Sequence, residues 1–252
     1  MLKSFRIGKA IREAVNKAAQ LTIDRIKNKY GNIDGKEEDI TSKLEDRLGV
    51  ELVESIESEI SGKEIQGLLF DVVTYKKSQE KNVGADIMGI VDIQLNGKRV
   101  TKLYLAQCKV GHITKDRFGA SIFNCSSSKD ILEQAEKMLA ITSDSFFFIY
   151  TEDAIFTVPA FQIRLCNKTN YINSTELYFK VLGTFYSDFF KCFIGDEKAI
   201  PPFDSTKTIR ELIKSETFPD LIKFNNLSYV TIKLKDDPNK TKGKQKENQP
   251  IT

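Results

Sequence analysis

Three polar residues stand where two extended segments meet: Asp86 at the start of one, and Gln107 and Lys109 at the end of the next. Between the segments lies Asn96-Gly97, the strongest short signal for a two-residue hairpin turn. That turn sets Leu95 against Lys98 and carries the register back until Asp86 falls opposite Gln107. Lys109 then shares the face of Gln107, diagonal to Asp86, while Ile87, Gly89, Ala106 and Cys108 point the other way. A carboxylate, an amide oxygen and an ammonium on one face suit a hard divalent cation. Mg²⁺ takes oxygen ligands, keeps several waters and uses only one or two carboxylates. Asp86 supplies one ligand, the Gln107 side chain a neutral one, and the Cys108 carbonyl a third. Lys109 beside them can orient or deprotonate a water, or neutralise charge growing on a phosphate.

Composition closes off other chemistries. His112 is the only histidine, so neither a multi-histidine zinc site nor a serine triad built elsewhere is available. The four cysteines, Cys108, Cys125, Cys166 and Cys192, lack C-x-x-C spacing and are expected to be reduced. Neither G-x-x-x-x-G-K-[ST] nor G-x-G-x-x-G occurs. Lys+Arg 38 against Asp+Glu 35 leaves a net charge of +3, far from a polybasic nucleic-acid coat. No apolar run approaches the roughly 20 residues of a membrane span, and the first residues lack the apolar core of a secretory signal. A cytoplasmic protein with no membrane partner is expected.

The elements that must position the hairpin follow from periodicity. Residues 5–29 read as an amphipathic helix; 36–48 as a second, stopped by Gly49; and 51–60 as a third. Strands are expected over 67–75, 85–95 and 99–110, then a helix over 128–141 and strands over 145–151 and 154–165. Residues 175–193 form an aromatic helix on this reading, followed by a turn at 200–203, a helix at 207–215 and a strand at 227–234. The fold class is therefore α/β, a mixed central sheet flanked by helices. It divides into an N-terminal helix (1–35), a core (36–165), an α+β C-terminal extension (166–235) and a disordered basic tail (236–252).

Gly84-Ala-Asp86 followed by Leu103-Tyr-Leu-Ala-Gln-Cys-Lys109 resembles the active-site hairpin of the PD-(D/E)xK nuclease superfamily. It is most similar to Mrr-type restriction endonucleases, whose motif has the form GxD…QxK. The resemblance covers about residues 35–160 and includes the order helix, three strands, helix, strand. It implies a restriction-endonuclease-like core and a Mg²⁺-dependent endodeoxyribonuclease, with Mn²⁺ able to substitute. Ala85 stands where the superfamily's proline would be.

The resemblance also implies an acid on the helix before the sheet. Ile40, Leu44 and Leu48 mark that helix's inward stripe; Glu37 lies on it, whereas Glu38 and Asp39 are rotated away. Glu37 is the expected acid, with Glu38 as second choice. Gln134 resembles a residue that relatives turn toward the site from the following helix, and His112 lies near enough in sequence to approach a phosphate. The expected role is DNA cleavage as the effector of a restriction or anti-phage system. Its expected partners are DNA, an ATPase, helicase or sensor subunit, and further copies or subunits of a complex. The rival readings are an inactive nuclease-fold subunit that binds nucleic acid or assists assembly, and a structure-specific repair or junction nuclease.

Overall fold

The computed structural model describes residues 5–60, 65–75, 77–95, 98–115, 121–125, 130–166, 172–173, 177–191 and 194–196. The expected turn at 200–203, helix at 207–215, strand at 227–234 and tail at 236–252 lie outside them.

Two long helices open the chain, α1 (Phe5–Tyr30) and α2 (Glu37–Ile60). The expected break at Gly49 does not occur: α2 runs through it, with Leu48 and Leu52 buried on either side. A glycine inside a helix costs about 1 kcal/mol relative to alanine. Burying the leucine stripe against α1 outweighs that.

β1 (Ile65–Thr74), β2 (Ile87–Leu95) and β3 (Lys98–Lys115) form an antiparallel meander, interrupted between β1 and β2 by the short helix α3 (Lys77–Val83). β4 (Ser121–Cys125) pairs with the far end of β3. α4 (Ile131–Ile141) crosses over to β5 (Ser145–Tyr150), which lies parallel to β3, and β6 (Ile155–Pro159) returns antiparallel to β5. The expected strand over 154–165 is half helix. It ends at Pro159, and α5 (Ala160–Cys166) follows, burying Ala160 and Ile163 one helical turn apart. β7 (Ile172–Asn173) joins β4, and β8 (Lys180–Val181) adds to β6. α6 (Leu182–Phe190) is shorter than the expected 175–193, because Tyr178 and Phe179 precede it on exposed chain. The sheet order is β1-β2-β3-β5-β6-β8, mixed and covered on both faces.

One face packs Ile87, Tyr104, Ala106, Cys108 and Phe148 beneath α1, α2 and α6. The other packs Met88, Ile90, Leu105 and Phe147 beneath α4 and α5. Tyr104 occupies the space over Gly89, its cross-strand partner, where a Cβ would fall 2.1 Å from the ring. The ammonium of Lys102, which is wholly buried, donates to the carbonyls of Phe189 and Ile194 at the end of α6. Cations at helix C-termini satisfy carbonyls that have no partner within the helix.

Candidate functional site

Asn96 and Gly97 lie outside the described residues, but Leu95 pairs with Lys98 and Ile87 with Ala106, the register a two-residue turn requires. β2 begins at Ile87 while β3 runs on to Lys115. Beyond the pairing, the edge of β3 presents the N–H groups of Cys108 and Val110, and carboxylates take both. Cys108 N donates to Asp86 Oδ2 (2.6 Å), and Val110 N donates to Glu37 Oε1 (3.0 Å).

Each carboxylate has a structural reason to be there. Gly84 takes φ +77°, and a Cβ on it would lie 2.5 Å from the Gln134 carbonyl, so the turn into Asp86 backs tightly onto α4. Asp86 N then donates to the Ala106 carbonyl and fixes the residue at the mouth of the hairpin. Glu37 begins α2. One turn on, Thr41 Oγ1 meets Tyr150 Oη (2.9 Å), which itself donates to Cys108 Sγ (3.0 Å). This buried contact fastens α2 to β3 and β5 just behind Glu37.

Gln107 touches Asp86 directly: its Nε2 donates to Asp86 Oδ2 (2.5 Å) and leans toward the Cys108 carbonyl (3.4 Å). Its Oε1 is buried and has no hydrogen-bond partner among the described residues. Asp86 Oδ2, the Cys108 carbonyl and the Gln107 amide thus converge on one point. The amide presents nitrogen there, and turning it over would present a third oxygen. Lys109 is only 7% exposed, and its ammonium has no hydrogen-bond or ion-pair partner among the described residues.

These groups line a cleft of about 500 Å³, together with Glu38, Thr41, Thr74, Lys77 and Glu80. Burial pushes the Asp86 carboxyl up to about 7, and the charge of Glu80 adds to it. The Cys108 N–H, the Lys109 ammonium and the Gln107 amide pull the other way. Burial also raises the Cys108 thiol, which accepts from Tyr150 Oη (3.0 Å), so the Cys108 carbonyl, not the thiol, is the candidate ligand for a hard ion. No group of three histidine, cysteine, aspartate or glutamate side chains able to hold a metal occurs among the described residues. The donors that do converge are one carboxylate, one amide and one carbonyl, a set that suits a hard ion and not zinc.

The other candidates lie elsewhere. Glu38 lines the mouth of the cleft in an exposed pair with Lys77 (2.7 Å). His112 is carried past the cleft by the length of β3 and meets Asp34 (2.8 Å), outside the lining. Gln134 is not in the lining either, because Ile131, Ala135 and Met138 take the inward stripe of α4.

Two acids escape the reading of the sequence. Glu80 sits on α3, a polar segment too short to show periodicity. Glu45 lies one turn beyond Thr41, on the inward side of α2, and accepts from Thr74 Oγ1 (2.5 Å). Burial raises its carboxyl from 4.5 to about 7. A raised carboxyl is protonated more readily in the folded chain. Its contribution to stability is therefore full below about pH 4.5 and is lost as pH rises through about 7. Glu45→Gln should make the protein more stable than the parent at pH 8, by on the order of 1–3 kcal/mol, and no different near pH 4. Melting curves at the two pH values check this, and an equal midpoint at pH 8 would refute it.

No described helix is long and apolar enough to cross a membrane. Comparison of the chain with family models, with curated proteins and with solved structures finds no match.

Proposed function

We propose that this chain is a Mg²⁺-dependent endonuclease that hydrolyses phosphodiester bonds in DNA, with Mn²⁺ able to replace Mg²⁺. The observation that carries the reading is the direct contact of Asp86 with Gln107 beside the Cys108 carbonyl, with Lys109 on the same cleft wall. The order of elements supports it too: a meander of three strands and then, after the short β4, a helix and a strand beside β3, close to the order helix, three strands, helix, strand that the resemblance implies. That support is analogy at the level of fold.

Asp86, the Gln107 amide oxygen and the Cys108 carbonyl would hold the cation, with Glu37 completing the site from α2. Bound there, Mg²⁺ supplies positive charge that activates water and stabilises charge growing on the phosphate. Glu37 keeps one oxygen on the Val110 N–H, which holds it at the cleft wall. Lys109 is the residue placed to take or steer the proton of the attacking water and to neutralise the phosphoryl oxygens. The residue is only 7% exposed, and its ammonium spends no bond on another side chain among the described residues. DNA targeting by a partner subunit of a defence complex belongs to the same proposal, by analogy with the superfamily that the hairpin resembles.

The test is cleavage of supercoiled plasmid, linear duplex and single-stranded DNA by the purified protein, with Mg²⁺ and with EDTA. Asp86→Asn, purified identically, guards against a contaminating nuclease. Cleavage that needs Mg²⁺ and disappears in the variant supports the proposal. Cleavage unaffected by EDTA, or equal in the variant, would reject it.

A further inference from the structure

α3 leaves the sheet at Tyr75 and returns at Asp86, and the two ends are hydrogen-bonded, Tyr75 N to the Asp86 carbonyl (2.7 Å). The helix is thereby held over the cleft and contributes Lys77 and Glu80 to the lining. Lys77 is committed to Glu38 across the mouth (2.7 Å). Glu80 is half-buried, and its carboxylate has no hydrogen-bond or ion-pair partner among the described residues. It lines the same cleft as Asp86, Gln107 and Lys109.

Two acids facing one space repel each other unless a cation or a proton lies between them. The lining as a whole has the same imbalance. Its carboxylates are Glu37, Glu38, Glu80 and Asp86, and its cations are Lys77 and Lys109. With every carboxylate ionised, the cleft lacks two positive charges, the charge of one divalent ion. An independent feature of the wall points to the same ligand. Gln107 is 1% exposed, lies against Asp86, and has an amide oxygen with no partner among the described residues. A buried oxygen without a donor costs free energy unless something binds it.

We propose that Glu80 is a further carboxylate of the cation site, beside Asp86 and Glu37, supplying from α3 the negative charge that the neutral Gln107 leaves out of β3. The proposal rests on reading the cleft as a metal-dependent nuclease centre, and it deepens that reading by naming a ligand the hairpin motif does not contain. A strand position can then be uncharged without a loss of negative charge around the ion: Mg²⁺ takes one or two carboxylates directly and keeps several waters, through which a further acid acts.

Titration of the full chain with Mn²⁺ alone, followed by electron paramagnetic resonance of the free ion, tests the proposal without any nucleic acid. Glu80→Gln should weaken Mn²⁺ binding by about 10-fold or more, the scale of losing one charged oxygen next to the ion. Asp86→Asn should weaken it at least as much. The metal-free melting midpoint of Glu80→Gln should match the parent or exceed it, because the side chain gives up no hydrogen bond and the repulsion with Asp86 is gone. If Glu80→Gln binds Mn²⁺ like the parent while Asp86→Asn does not, the assignment of Glu80 is wrong and the nuclease centre stands. If the parent chain binds no Mn²⁺, the reading of the cleft as a metal centre is wrong, and Glu80 loses its role with it.

Discussion

Lys109→Ala should lower the rate of DNA cleavage by about 10²-fold or more at saturating Mg²⁺, the usual scale for a positioned acid–base group. Binding of Mn²⁺ should persist in this variant, since the lysine is no ligand and its positive charge opposes the ion. The fold should not suffer. Lys109 lines the cleft and its ammonium has no hydrogen-bond or ion-pair partner among the described residues, so removing it breaks no such bond. Lys109→Arg is the informative companion. It keeps the charge but cannot give up a proton near neutral pH. If arginine restores most of the rate, the residue serves as a fixed charge on the phosphate. If arginine is as slow as alanine, proton transfer is the role. Single-turnover nicking rates, with melting curves for all three proteins, decide the matter; a parental rate in Lys109→Ala would remove the residue from the chemistry altogether.

How far the site can be seen in the sequence depends on how locally each residue is determined. Asp86 and Gln107 were legible because one turn signal dictates the pairing of a whole hairpin, and the register from Leu95–Lys98 to Ile87–Ala106 follows it without a slip. Glu37 was legible from helical phase alone, since Ile40, Leu44 and Leu48 fix the inward side of α2. Residues whose position depends on element ends were not. β3 continues to Lys115, and those extra residues take His112 away from the cleft to Asp34. α3 holds Glu80 in place through its closed ends, Tyr75 against Asp86, a contact that no periodicity announces. Gly49 and the 154–165 segment show the same limit from the other side. A stop signal loses to burial against α1, and an apolar run that reads as one strand is divided at Pro159 because α5 has a core of its own to fill. The α/β class and the mixed sheet needed only the order of elements, and that order is carried by long, strongly patterned segments.

Gln107→Glu separates a metal centre from a hairpin that merely carries polar residues. In the metal-free protein Gln107 Nε2 donates to Asp86 Oδ2 at 2.5 Å. A glutamate there would place two carboxyl groups within hydrogen-bond reach, and such a pair cannot both ionise without help. The metal-free variant should therefore melt below the parent at pH 8, by on the order of 1–3 kcal/mol in stability, and recover as the pH falls and the pair takes up a shared proton. If the two residues hold one ion, Mg²⁺ or Mn²⁺ should reverse the loss at pH 8. The ion should also bind more tightly than to the parent, by on the order of 10-fold or more, because a charged oxygen replaces a neutral one beside it. Asp86→Asn should do the opposite, gaining nothing in melting temperature from either metal. The two results depend on different physics. The metal-free loss needs only the contact between the side chains, whereas the rescue needs an ion between them. Loss without rescue would mean that Asp86 and Gln107 touch but share no cation. Lys109 would then have no reacting group to serve, and an assembly or binding subunit that keeps the fold without turnover would account for the chain better than a nuclease.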